Sequence, residues 1–155
     1  MIEAAPPVRR RRTSTFGKEM TAIERAIRGR TIQSFQISDN GRWSSIGLDG
    51  QRAISCEGLL RFVGDDGQFI TVEDHNQKFG LPKPFDAEAA ISHEVIGKVI
   101  DQAHICSKTG DLRLTIAGGV IELIASSSGY ESFQVTGDKS GIIVGMGGKQ
   151  EAEQD

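Results

Sequence analysis

One stretch of this chain is written twice, so whatever it folds into has to occur twice. A shift of 68 positions sets Gly29 on Gly97, Arg30 on Lys98, Ile32 on Ile100, Ile37 on Ile105, Ile46 on Leu114, Leu48 on Ile116 and Gly50 on Gly118 without a gap. With a few residues inserted, 62–70 corresponds in the same way to 135–143. Within each copy the apolar residues recur near a period of two, the signature of strands with one buried face. The first copy reads as Ile32, Phe35 and Ile37, then Trp43, Ile46 and Leu48, then 53–56, 59–63 and 68–72. Asp39-Asn40-Gly41, Asp49-Gly50 and 64–67 supply the turns between them, where Asn, Asp and Gly tolerate positive φ. The second copy runs through 98–106, 112–116, 120–124, 133–136 and 142–146. The expectation is a mainly-β fold: a duplicated β-meander with pseudo-equivalent halves 29–72 and 97–146, closed as a sandwich or as a barrel.

Before the first copy, Phe16, Met20, Ile23 and Ile27 keep helical spacing, and Thr21 with Glu24 forms a capping-box pattern. This predicts one amino-terminal helix over 22–28, stopped at Gly29. Between the copies, 73–96 is a crossover without a repeat. Its prolines 82 and 84 hold it extended, and Asp86 caps a short helix through Ala87, Ala89, Ala90 and Ile91. At 155 residues with 19 Gly, the chain suits one domain of short strands and tight turns, taken as 16–148. Residues 1–15 read as a disordered basic arm and 149–155 as an acidic tail.

Charge separates the arm from the body. Of a formal net −3, residues 1–12 contribute four Arg and one Glu, which leaves the remainder at −6. An acidic body disfavours nonspecific nucleic-acid binding, and Arg9, Arg10, Arg11 and Arg12, without interleaved aromatics, give at most a weak phosphate contact. A partner with a basic surface suits such a body. No apolar run is long enough to span a bilayer and no secretory pattern is visible, so the expected setting is cytoplasmic, without membrane contact. Cys56 and Cys106 are too few for a disulfide scaffold and read as reduced thiols.

Motifs for chemistry are sparse. Glu73-Asp74-His75 is the densest cluster of proton-active groups, but His93 and His104 stand at no metal-ligand spacing from it, so no metal or cofactor is expected. His104 should face away from Ala103 and Ile105. Gly118-Gly119 and 145–148 lack the Lys-Ser/Thr of a phosphate loop, and 126–129 lacks a nucleophile elbow, so all three read as turns or strand links. No catalytic residue is assigned. Tyr130 and Glu131 join Glu73 and His75 as candidate binding residues. Tyr130 offers an amphipathic contact and Glu131 an acceptor, although a Tyr covering a sheet beside a Glu tied to a turn backbone is the simpler structural reading.

The carboxyl half resembles a family of small uncharacterised bacterial domains. The resemblance rests on 97–100, 110–116, Tyr130-Glu131-Ser132-Phe133, Gly137 and Met146-Gly147-Gly148, where the family has Gly-Arg-x-Val, Gly-x-Leu-x-Leu, Tyr-Glu-Ala-Trp and Pro-Gly-Gly. This chain departs at Phe133 for Trp and Met146 for Pro, and has its acidic tail where the family adds a strand. The resemblance implies a domain of unknown function, some of whose relatives are immunity-protein-like. The reading from sequence is a noncatalytic protein-binding module, neutralising a basic partner such as a toxin. The alternative is a small ligand-binding domain or enzyme using the seam between halves, with Glu73, His75 and Glu131 as its polar groups.

Overall fold

The computed structural model describes residues 21–125, 131–137 and 141–146. Helix α1 (Ala22–Ile27) starts as its sequence dictates. The Thr21 hydroxyl accepts the Glu24 N–H at 3.1 Å, and the Glu24 carboxylate accepts the Thr21 N–H at 2.9 Å. The helix ends one residue earlier than the apolar spacing suggests, because Arg28 is already extended and Gly29 takes φ +85°. Six residues cannot hold a helix in isolation. What stabilises α1 is the burial of Ile23 and Ile27.

Helix α2 (Ala87–Val95) is capped by Asp86, whose carboxylate accepts the Ala89 N–H at 2.9 Å. It ends as α1 does, with Ile96 extended and Gly97 at φ +88°. Its buried Ile91 and Val95 stand 68 positions after Ile23 and Ile27. The equivalence therefore reaches back into the segment that the sequence reading left unrepeated.

The strands among the described residues are β1 (Ile32–Ile37), β2 (Ser44–Leu48), β3 (Arg52–Cys56), β4 (Leu59–Gly64), β5 (Phe69–Thr71), β6 (Gln102–Ile105), β7 (Leu112–Ile116), β8 (Gly119–Ile124), β9 (Glu131–Gly137) and β10 (Gly141–Met146). They form two five-stranded sheets, ordered β1-β2-β3-β9-β10 and β5-β4-β8-β7-β6, with every strand pair antiparallel. The fold is mainly β, as expected, with its strands divided between two five-stranded sheets. Neither half makes a sheet alone. Strands β1 to β3 are completed by β9 and β10, and β6 to β8 by β4 and β5, so raising each strand of one sheet by five places, or lowering it, reproduces the other.

The 68-residue offset recurs in the hydrogen bonds that join the halves. The Gly29 N–H donates to the Ile100 carbonyl at 2.7 Å, and the Gly97 N–H to the Ile32 carbonyl at 2.8 Å. The Ile32 N–H donates to Lys98 and the Ile100 N–H to Arg30, both at 2.9 Å. Thr31 faces its own counterpart, Val99, in an isolated antiparallel bridge. Two glutamates extend the exchange: Glu24 of α1 accepts the Ile105 N–H at the end of β6, and Glu88 of α2 accepts the Ile37 N–H at the end of β1, each at 2.8 Å. Ile37 and Ile105 are themselves 68 apart.

The apolar spacing of β1 also has its explanation here. Ile32 and Phe35 are both buried although three apart, because the register slips between Ile32 and Ser34. That bulge inserts one residue and returns Phe35 to the inner face. Ile100, Ala103 and Ile105 keep the same spacing and are buried too. One continuous apolar core takes residues from both sheets and both helices, among them Ile27, Ile54, Phe62, Ile91, Leu114 and Phe133.

Candidate functional site

Alternation along β2 buries Ser44, Ile46 and Leu48. Trp43 is out of phase with them, and so it points away from the core. The sequence reading grouped it with Ile46 and Leu48, yet its odd spacing from both was the signal that it belonged outside. The turn before it is fixed locally: the Asn40 side-chain amide oxygen accepts the Arg42 N–H at 2.9 Å and the Ser38 O–H at 2.8 Å, while the Ser38 hydroxyl oxygen accepts the Trp43 backbone N–H at 3.2 Å. The indole, 45% exposed, is the chain's only tryptophan.

Two grooves meet at that ring. The larger, about 580 Å³, is lined by Asn40, Arg42, Trp43, Glu57, Leu59 and Glu73 among others, and the smaller, about 310 Å³, adds Gln36, Asp39 and Glu88. Four carboxylates and one guanidinium thus surround an exposed indole. The counterpart of Trp43 at the 68-residue offset is Asp111, which is folded back into the structure: its carboxylate accepts the Ala125 N–H at 2.7 Å. The two halves share their core and differ here.

Of the residues singled out in the sequence, Glu73 is exposed and lines the larger groove. It follows Thr71, whose hydroxyl accepts the Glu73 N–H at 3.1 Å and caps a 3-10 turn over Val72–Asp74. His75 is occupied elsewhere. Its Nδ1 accepts the Ala87 N–H at 3.2 Å, at the start of α2, with the Asp86 carboxylate 3.9 Å away. His75 thus helps cap the start of α2 through Nδ1. Glu131 opens β9, opposite Met146. Tyr130, the Glu131 side chain and Arg9, Arg10, Arg11 and Arg12 lie outside the described residues.

His104 faces outward between buried Ala103 and Ile105, as the alternation requires. Among the described residues, no group of three His, Cys, Asp or Glu side chains could hold a metal ion, and no helix is long and apolar enough to cross a membrane. The two glycine pairs separate: Gly118 turns the chain at φ +94° between β7 and β8, and 147–148 lies outside the described residues.

Both cysteines are free, and their environments differ. Burial at the end of β3 pushes the Cys56 thiol up to about 11. Hydrogen bonds from the Thr109 side chain and from the Lys108 and Thr109 backbone hold Cys106 below the usual thiol range. At pH about 8 an alkylating reagent is expected to modify Cys106 in the folded protein and Cys56 only after denaturation, because the thiolate is the reactive form. Peptide mass mapping reads this directly, and equal labelling of the two would contradict it. The high Cys56 value also has a stability consequence. Its neutral form is favoured on folding, so the contribution is fully present below the ordinary thiol value of 9.0 and is lost as pH rises towards 11.

Comparison with protein-family models, curated proteins and solved structures gives no match for this chain.

Proposed function

We propose that this protein is a noncatalytic binding module whose contact surface is centred on Trp43 and takes a cationic segment of a partner protein. The observation that carries the reading is an exposed indole set among the carboxylates of Asp39, Glu57, Glu73 and Glu88. An indole face attracts lysine or arginine electrostatically, and a carboxylate beside it accepts the same cation's hydrogen bonds. Tryptophan also supplies a large contact area with few rotatable bonds, which is why it recurs among the residues that dominate binding energy. The acidic body adds long-range attraction that speeds encounter with a basic surface.

The noncatalytic part of the reading is supported by the engagement of the His75 Nδ1 with the Ala87 N–H at the start of α2. A cytoplasmic, immunity-like role, in which the module neutralises a basic partner such as a toxin, is its biological form and rests on the family resemblance of the carboxyl half.

The test is affinity capture of a basic protein with the full chain as bait, at low and at high salt, beside Trp43→Ala. The variant is expected to melt within a few degrees of wild type, since the ring is outside the core, and to lose about tenfold or more in affinity. Binding should weaken at high salt, because exposed charge pairs are screened. Retention of the same protein by Trp43→Ala, or equal capture at both salt concentrations, would remove this surface as the site.

A further inference from the structure

The segment between the 3-10 turn and α2 carries two exposed apolar residues, Phe79 and Leu81, close to charged ones. Its base is pinned in hairpin fashion: the Asn76 N–H donates to the Phe85 carbonyl and the Phe85 N–H to the Gln77 carbonyl, both at 2.8 Å. Phe85 is anchored against the core. Beyond that base the chain turns tightly, with the Leu81 N–H donating to the Lys78 carbonyl at 2.6 Å. Phe79 is held at φ +46° and is 66% exposed, and Leu81 is 48% exposed. A bulky side chain rarely adopts that backbone region, and such conformations persist where the surrounding structure imposes them, often at contact sites. Pro82 and Pro84 stiffen the returning limb.

The chemistry of this tip is the opposite of the body's. Between Asp74 and Asp86 there is no acid, and Lys78 and Lys83 flank the two apolar residues. Phe69, another exposed aromatic, is unlike them, because the Arg61 guanidinium covers its ring at 5.2 Å. An anionic membrane would suit two lysines around an apolar tip, but the molecule beyond residue 12, those lysines included, carries −6 and would be repelled. A second copy carries the same charge, but it gathers its carboxylates into a local groove around an exposed indole, which matches two lysines flanking an apolar tip.

We infer that the 78–83 tip occupies the Trp43 groove of a second copy, forming a twofold dimer in which each molecule lends its tip to the other. The inference rests on the groove accepting cationic segments. Lys78 and Lys83 meet the groove carboxylates while Phe79 and Leu81 pack on the indole. A twofold arrangement makes the contact twice and closes the assembly. Because the tip is already ordered by its base, little conformational entropy is lost on docking. Self-association then masks the groove until a stronger cationic partner displaces the tip.

Two measurements on the full chain decide this, and the single tryptophan makes one of them direct. Sedimentation velocity from micromolar to submillimolar protein at low salt is expected to show a monomer–dimer equilibrium. It should shift towards monomer at high salt, in Lys78→Glu/Lys83→Glu and in Trp43→Ala. A chain that stays monomeric throughout, or a dimer that survives those substitutions, overturns the inference. In the second measurement, a synthetic peptide spanning 76–86 is titrated against dilute protein while tryptophan fluorescence is followed, beside an unrelated peptide of equal charge. Saturable change with the 76–86 peptide, at least about tenfold tighter than with the unrelated one, supports the tip as occupant. Response to the unrelated peptide alone overturns the tip and leaves the groove reading standing. No response to either overturns both.

Discussion

Gly119→Ala is expected to cost about 3 kcal/mol of folding stability, at the upper end of the range for overpacking a closely fitted site. Gly119 opens β8, paired with Gly64 on one side and Ile116 on the other. A Cβ there would lie 2.5 Å from the Val63 carbonyl oxygen and 2.8 Å from the Phe62 ring. The ring could be trimmed, but the carbonyl belongs to the ladder of β4 on β8, which is one of the places where strands of the two halves join. Relief would mean opening that ladder. The substitution should therefore cost nearly as much in a Phe62→Leu background as in wild type. Urea denaturation reads both, as a lowered midpoint with the slope unchanged. A loss below about 1 kcal/mol, or full rescue by Phe62→Leu, would show that the backbone contact is not the cause.

Glu24→Ala should be nearly as damaging, at about 3 kcal/mol, because one carboxylate serves two donors in different parts of the fold. Glu24 is 6% exposed. One oxygen closes the capping box on the Thr21 N–H, and the other accepts the Ile105 N–H of β6, 81 residues away. Truncation removes a cap and strands a buried backbone donor, and a loss of that size lowers the melting temperature by about 10 °C in a chain this long. Glu24→Gln keeps an acceptor oxygen and should lose less than half as much. Glu88→Ala offers the internal comparison. Glu88 accepts the Ile37 N–H and is less buried, so its loss should be the smaller. If Glu24→Ala and Glu88→Ala proved equal, the double role of Glu24 would be wrong.

Strand positions were legible because they depend on neighbours in sequence. The alternation of Leu112, Leu114 and Ile116 sets one face, and Asp49-Gly50 turns the chain wherever the strands end up. The capping box at Thr21 and Glu24 was legible for the same reason, since both hydrogen bonds span three residues. The role of Glu24 at Ile105 was hidden, because it joins residues that no local pattern connects. His75 illustrates the same limit: beside Glu73 and Asp74 it reads as one member of a proton-active cluster, and only the approach of Ala87 shows which nitrogen is spent.

By itself the sequence determined a mainly-β fold with two helices, and it contained the 68-residue offset, because period, turn chemistry and caps are properties of short segments. The tertiary structure decided that β4 and β5 leave their own half to complete the sheet of β6 to β8, while β9 and β10 complete the sheet of β1 to β3. It also decided that two grooves meet at Trp43, and that the backbone groups of 29–32 and 97–100 hydrogen-bond to each other. The physical reason is that an antiparallel ladder satisfies its N–H and C=O groups equally well with any strand of suitable register, so the pairing is settled by which apolar faces can be buried together.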